Sequence, residues 1–223
     1  VGVGSLWLHF LWDKLEVETE VVGIVGAIGW TATTSEGINT YDADLGLGDD
    51  GKPRPLWILQ GGAALESNYR MMSDSLVVGL DGGWASGDDA PGFGLRPVIK
   101  QAPEQGDFDG KQYGSCIKAD ANGKCTEVDD NVTNYRFDPD YHVDLILFRE
   151  IMGTVVDAFY FRPHLTYNLT SNLLFRADLV QSFAQFATST PGNSNLLGTE
   201  VDLKSGYISD DGFNFMMQYG ILF

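Results

Sequence analysis

Eight stretches of the chain switch polarity at every second residue, and that period admits little besides β-strands with two unlike faces. In the first, Ser5 to Trp12, the residues Leu6, Leu8, Phe10 and Trp12 share one side. The second runs from Leu15 to about Thr31 and sets Leu15, Val17, Thr19 and Val21 against Glu16, Glu18 and Glu20. The third, Leu56 to Arg70, opposes Trp57, Leu59, Ala63 and Leu65 to Gln60, Glu66, Asn68 and Arg70. The fourth, Leu76 to Ala85, lines up Leu76, Val78, Leu80 and Trp84. The fifth and sixth form a hairpin between Phe159 and Phe183 around a "TSN" turn, with Arg162, His164, Arg176 and Asp178 between its apolar positions. The seventh, Leu197 to Ile208, opposes Val201, Leu203 and Tyr207 to Glu200, Asp202 and Lys204. The eighth, Phe213 to Phe223, is aromatic and aliphatic on one side with Asn214 and Gln218 on the other.

The connections between these strands sort by length. Short ones lie at Asp13–Lys14, Met71–Ser75, Thr170–Asn172 and Ser209–Gly212; long ones lie at Ala32–Arg54, Ser86–Gly153 and Thr188–Leu196. Short and long alternate along the whole chain if "FDPDYHVDLILFREIMG" is not a strand. That segment predicts a helix over about Pro139 to Met152: Asp138 is an N-cap residue, Pro139 suits the first helical position and Gly153 suits the stop. A strand is the alternative, since Val143, Leu145 and Leu147 also alternate, but it would break the alternation of connections.

A soluble sandwich has no reason to keep short turns at one end and long loops at the other, whereas an outer-membrane barrel does. Its strands need only about 9–11 residues. No apolar run is long enough for a spanning helix; Val21 to Trp30, the nearest, carries glycines. Aromatic residues stand near strand ends on the apolar side: Trp12, Trp30, Trp57, Tyr69, Trp84, Phe159, Tyr167, Tyr207 and Phe213. Rings at both ends of an apolar band form the interfacial girdle of a membrane barrel. The expected fold is therefore all-β: an antiparallel transmembrane β-barrel with about eight strands in this chain and a short helix in a long extracellular loop. Residues 1–223 form one domain, with residues 86–153 as the long loop.

Short turns on the periplasmic side would leave both chain ends outside. Val1 is not a start residue, and the expectation is a larger barrel of ten or more strands, incomplete here at both ends. A true C-terminal Phe223 would reverse that orientation.

The residues expected to line the lumen are Glu16, Glu18, Glu20, Glu66, Arg70, Asp81, Arg162, His164, Arg176, Asp178, Glu200, Asp202 and Lys204. Acids outnumber bases among them, which favours cations or neutral solutes. Glu16, Glu18 and Glu20 recur at about 6.6–6.8 Å on one strand face, as an anion-repelling ladder or a merely wet surface. Arg162, Arg176 and Asp178 are placed to pair within their hairpin. The net charge of −17 argues against nucleic acid, whose phosphates require a basic face.

Cys116 and Cys125, close together in a polar loop, read as a local disulfide and an oxidising compartment; zinc is the weaker reading, with no further cysteine or histidine nearby.

Several stretches resemble known membrane proteins. "GWASGDDAPGFG" (83–94) resembles the strand-to-loop motif of alginate-export-like outer-membrane porins. "FDPDYHVDLILFREIMGTV", "FRPHLTYNL", "STPGNSNLLGTEVDL" and "GFNFMMQYGILF" are similar to a family of myxobacterial outer-membrane β-barrels, over nearly the whole chain. The resemblance implies a large outer-membrane barrel and no catalytic residues. The acidic lumen departs from the positive lining that a polyanion exporter needs.

No GxSxG, HExxH or phosphate-cradling motif is present, so neither an enzyme nor a cofactor is expected. Asp107, Asp109, Asp120 and Asn122 sit beside glycines with calcium-like spacing, but calcium is the weaker reading beside solvated acidic turns. The expectation is a porin-like channel of the bacterial outer membrane for passive diffusion of small cationic or neutral solutes, with lipid as its surroundings. The alternatives are a structural subunit with a plugged lumen, bound to other envelope proteins, and a soluble secreted β-protein.

Overall fold

The structure, a computed structural model, describes residues 1–28, 56–87, 116–119, 125–128, 131–187, 190 and 194–223. In chain order the strands are β1 (Gly2–Trp12), β2 (Leu15–Ile28), β3 (Leu56–Met71), β4 (Leu76–Ala85), β5 (Cys116–Ala119), β6 (Cys125–Val128), β7 (Asn131–Val132), β8 (Ala158–Asn168), β9 (Leu173–Ala184), β10 (Leu196–Ile208) and β11 (Asn214–Leu222). Eight of them form one antiparallel meander, β1-β2-β3-β4-β8-β9-β10-β11. These are the eight alternating stretches of the sequence, with ends shifted by a few residues; Trp30 and the end of the second stretch lie outside the described residues. Neighbours in sequence are neighbours in the sheet, so the short turns share one rim and the long connections the other.

Register keeps the two faces unmixed. Leu6 faces Val21, Val21 faces Ala63 and Ala63 faces Trp84 across the first four strands. Trp84 faces Phe159, and Phe159 faces Phe183, where the two rings stack with centroids 5.1 Å apart. On the opposite face, His9 faces Glu18 and Glu18 faces Glu66; farther along, Asp81 faces Arg162, and His164 faces Asp178. A slip of one residue anywhere would send charge to the apolar side, which pins the register.

The sheet is open among the described residues: β1 and β11 stand at its two ends. The expected closed barrel is therefore an antiparallel sheet here, because neither edge strand has a second partner.

The expected helix over Pro139–Met152 shrinks to one wide helical turn, Leu147–Met152, in which the Ile151 amide bonds the Ile146 carbonyl at 3.0 Å. Gly153 does end it, with φ of 86°. Asp138 caps only a local turn: its carboxylate accepts from the Asp140 amide at 2.9 Å and its carbonyl from the Tyr141 amide at 2.9 Å. Between that turn and Leu147 the backbone is drawn out by groups of the sheet. Arg162 donates to the Val143 carbonyl at 2.6 Å, and Glu200 accepts from the Leu145, Ile146 and Leu147 amides. Tertiary partners thus override local helix propensity.

This segment, residues 131–157, lies on the charged face of the sheet. It begins as β7, which pairs in parallel with Trp57 and Ile58 of β3. Its Val143, Leu147, Phe148 and Met152 form a core with Ala85, Ala158, Tyr160 and Val180 from the strands. The protein's buried apolar cluster is therefore built between the sheet and its own inserted connection. β5 and β6 form a separate two-stranded ribbon carrying the two cysteines, with Cys116 opposite Val128 and Cys125 opposite Ala119. The cysteine side chains lie outside the described residues, as do Asp107, Asp109, Asp120 and Asn122.

Candidate functional site

All thirteen residues expected to line a lumen fall on the face that carries the inserted segment, but they divide into two groups. The first group, on β4 and β8–β10, is covered. Asp81 lies under the guanidinium of Arg162, with Nη2 at 2.7 Å, and beside His164 Nε2 at 3.3 Å. Arg176 grips Asp178 along the same strand, with Nη2 to Oδ1 at 2.6 Å and Nε at 2.9 Å. The hairpin pairing expected of Arg162 is thus secondary: Asp178 is 4.0 Å from it, while Asp81 of β4 is its main partner.

Register sets like charges opposite each other on β9 and β10, Asp178 facing Asp202 and Arg176 facing Lys204. Directly opposed like charges are unfavourable. Asp178 turns to Arg176, and Asp202 turns to the Leu145 amide at 3.1 Å. Gly220 lies opposite Asp202 on β11 and leaves room for it, since a Cβ there would meet the carboxylate and Leu145. Glu200, fully buried, accepts from three successive amides, Leu145 at 3.0 Å, Ile146 at 2.8 Å and Leu147 at 3.0 Å. Asp144 continues the series by accepting from Phe148 at 3.0 Å and Arg149 at 3.1 Å. Burial, with the nearby Glu200 adding to it and the two amides opposing it, raises the Asp144 carboxyl to about 6. These carboxylates act as backbone anchors, a role that the sequence pattern alone did not suggest.

The second group, on β2 and the short-turn end of β3, is bare. Glu16 meets Arg70 Nη2 at 2.9 Å and His9 Nε2 at 3.2 Å, all part-exposed. Glu18 accepts from the Trp7 indole at 2.6 Å. Glu20 is exposed and has no such pairing with a base among the described residues. Glu66 marks the boundary: it accepts from the Tyr141 hydroxyl at 2.8 Å.

At that boundary a half-open cleft of about 260 Å³ lies between β2, β3 and the inserted segment. Tyr135, Phe137, Asp138 and Tyr141 line one side, and Glu20 with the glycine and alanines of β3 line the other. These aromatic residues are not evident from the sequence, because Asp138 beside them carries the signature of a helix cap. A usable signal was present in "YRFDPDY" facing "GGAA": rings crowded onto a strand need neighbours without side chains. Gly62 and Gly83 supply that space, since a Cβ on either would strike the Tyr135 or Tyr160 ring.

No group of three or more metal-ligating side chains is arranged to hold an ion among the described residues. The chain matches no protein-family model, no curated protein and no solved structure.

Proposed function

We propose that the chain is wall and constriction of an outer-membrane β-barrel channel that passes small cationic or neutral solutes. The observation that carries this reading is the inverted polarity of the strands. On β8, Phe161 is 52% exposed while its neighbour Arg162 is 8% exposed; on β10, Leu203 is 48% exposed while Asp202 is fully buried. The exposed apolar side chains continue across all eight strands, from Leu8 and Phe10 to Met217 and Tyr219. In water so extended an apolar surface favours aggregation, whereas in a bilayer it is the surface that lipid solvates. Trp12, Tyr69, Tyr167, Tyr207 and Phe213 toward the short-turn rim, and Trp57 and Trp84 toward the other, suit interfacial rings.

In this reading the charged face lines the lumen and the inserted segment narrows it. The membrane does not tolerate open strand edges. Both β1 and β11 are then paired in the barrel, and in this reading further strands or another copy pair them and make up ten or more. The bare acids Glu16, Glu18 and Glu20 favour cations along the open side of the lumen.

The reading is tested in two steps. Folded protein in detergent should run faster on a gel than the boiled sample, and should require detergent to stay dispersed; a chain that stays soluble and monomeric without detergent sinks the membrane reading. Reconstituted full-length protein should then conduct, with a reversal potential in a salt gradient on the cation-selective side. Insertion without conductance would favour the second reading, a plugged structural subunit. The pinning of residues 144–149 by Glu200, Asp202 and Asp144 is the observation on its side.

A further inference from the structure

The cleft between β2, β3 and the inserted segment combines features that recognise one class of ligand. Three aromatic rings line it in sequence: Tyr135 and Phe137 meet edge to face with centroids 6.0 Å apart, and Phe137 and Tyr141 tilt together at 5.6 Å. Two carboxylates, Glu20 and Asp138, are exposed at the cleft, and none of its lining residues is basic. Ring faces carry negative charge density and attract cations within about 6 Å of the centroid. Burial first, and then the carboxylates Glu20 and Asp138, push the Tyr135 phenol above its ordinary value, so the cleft is a region of negative field.

The walls are fixed before any ligand arrives. Tyr135 lies against Gly62, and its amide donates to the Ser86 carbonyl at 3.0 Å. The Phe137 amide bonds the Val155 carbonyl at 3.1 Å, and the Phe137 carbonyl accepts from Thr154 Oγ1 at 2.7 Å. Tyr141 is held by its hydroxyl, which donates to Glu66 at 2.8 Å and lies 3.2 Å from the Tyr160 hydroxyl. A site with its side chains already held loses little order on binding.

We propose that this cleft binds a small organic ammonium cation, with its charge against Glu20 and Asp138 and its alkyl groups on the rings of Tyr135, Phe137 and Tyr141. The volume of about 260 Å³ lies just below the usual range of about 300–1,000 Å³ for ligand pockets and suits a cation of few heavy atoms. A bare divalent metal fits poorly, since calcium takes about six to eight oxygen ligands and aromatic carbon supplies none. A neutral solute offers neither carboxylate a counter-charge. The inference deepens the channel reading and rests on it for the solute's route to the cleft; the binding itself requires no conduction.

The test is calorimetric titration of the folded full-length chain with choline and with its neutral isostere, 3,3-dimethylbutan-1-ol. Choline should bind saturably, and the isostere at least tenfold more weakly. The double variant E20Q/D138N should weaken choline about tenfold. It changes two exposed groups, so an unaltered circular dichroism spectrum checks that it folds. Tyr135→Leu should weaken choline about fivefold and leave the isostere unchanged. No saturable choline binding, equal binding of the isostere, tighter binding of calcium than of choline, or unchanged choline affinity in E20Q/D138N would overturn the site. Heat-modifiable migration and bilayer conductance report on the barrel separately, so loss of one result leaves the other standing.

Discussion

The charged face of the sheet contains two regions made from the same residue types and treated in opposite ways. On β4 and β8–β10 the inserted segment covers the carboxylates, and each has a short, specific partner; Asp81, Asp178, Glu200 and Asp202 are all nearly inaccessible. On β2 they are not so covered: Glu18 and Glu20 are exposed, Glu16 is half-buried, and such partners as they have are themselves part-exposed or exposed. The difference teaches that a carboxylate on this face is structural or electrostatic according to what lies over it. A buried carboxylate that accepts backbone N–H bonds becomes part of the fold, because removing it strands the donors. An exposed one contributes little to stability and remains free to act on solutes.

The largest effect expected from this contrast is at Glu200. Glu200→Ala leaves the Ile146 and Leu147 amides without their acceptor and the Leu145 amide with Asp202 alone. The cost should be about 2–6 kcal/mol, at about 1–3 kcal/mol for each stranded donor, read as a fall in unfolding midpoint and as loss of hydrogen-exchange protection at those two amides. Glu18→Ala, which removes only an exposed bond to Trp7, should cost less than about 1 kcal/mol. Equal costs for the two variants would break the comparison.

Asp144 should make the covered region sensitive to pH. Its folded value of about 6 lies above its ordinary 3.8, chiefly through burial. Below pH 4 the group is protonated whether the segment is docked or released, and it has no effect on docking. Between about pH 4 and 6 the released form ionises first, so docking weakens as pH rises, by up to about 3 kcal/mol at 1.36 kcal/mol per unit. Amide exchange at Phe148 and Arg149, compared at pH 4 and pH 7 after correction for intrinsic rates, should show less protection at the higher pH. Asp144→Asn keeps the acceptor oxygen and should flatten that dependence. A slope that survives the substitution would move the titration to another group.

The strands were legible in the sequence because a sheet solvated differently on its two faces writes its pairing into every second residue. Even the rims could be read, since connection length alternates with strand number. The inserted segment was not legible, for a physical reason. Its signals from Asp138 to Gly153 are local helix signals, while its conformation is decided by Arg162, Glu200 and Asp202, which lie distant in sequence. A carboxylate on a strand looks the same whether it meets water or a backbone amide. For that reason the sequence pattern puts all thirteen lumen candidates on one face, as the register does, without separating Glu200 from Glu20. The cleft aromatics escaped notice because the glycine at 62 that makes room for Tyr135 is a tertiary complement, visible only once β3 and residues 131–157 are together.

Glycines sharpen the same contrast at a smaller scale. At Gly79, under the covered network, an added Cβ would meet the Ser67 carbonyl and the His164 ring. At Gly23, on the apolar face of β2, it would meet nothing within 4 Å. Gly79→Ala should therefore destabilise by about 1–3 kcal/mol through displacement of His164 from Asp81. Gly23→Ala should be neutral or slightly stabilising, since an extended glycine in a strand loses more chain entropy than alanine, by about 0.5–1 kcal/mol. Thermal unfolding of the two variants side by side checks the ordering.

The smallest effect on stability, and the most informative for function, is expected at the bare acids. The triple variant E16Q/E18Q/E20Q keeps shape and hydrogen-bonding capacity and removes charge from one face of β2. It releases Arg70 and His9 from part-exposed pairs and the Trp7 indole from a charged acceptor. Exposed pairs of this kind contribute about 0–1 kcal/mol each, so the unfolding midpoint should move little. The reversal potential of the reconstituted protein in a salt gradient should nevertheless move toward zero, because a strand face that concentrates cations has lost its field. The shift should be largest at low ionic strength, where the Debye length of about 30 Å at 0.01 M would let the ladder act across the lumen of the proposed channel. A triple variant that unfolds would put these acids in the structural class with Glu200. One that stays folded with unchanged selectivity would give the cation preference to another part of the chain and leave β2 a merely wetted wall.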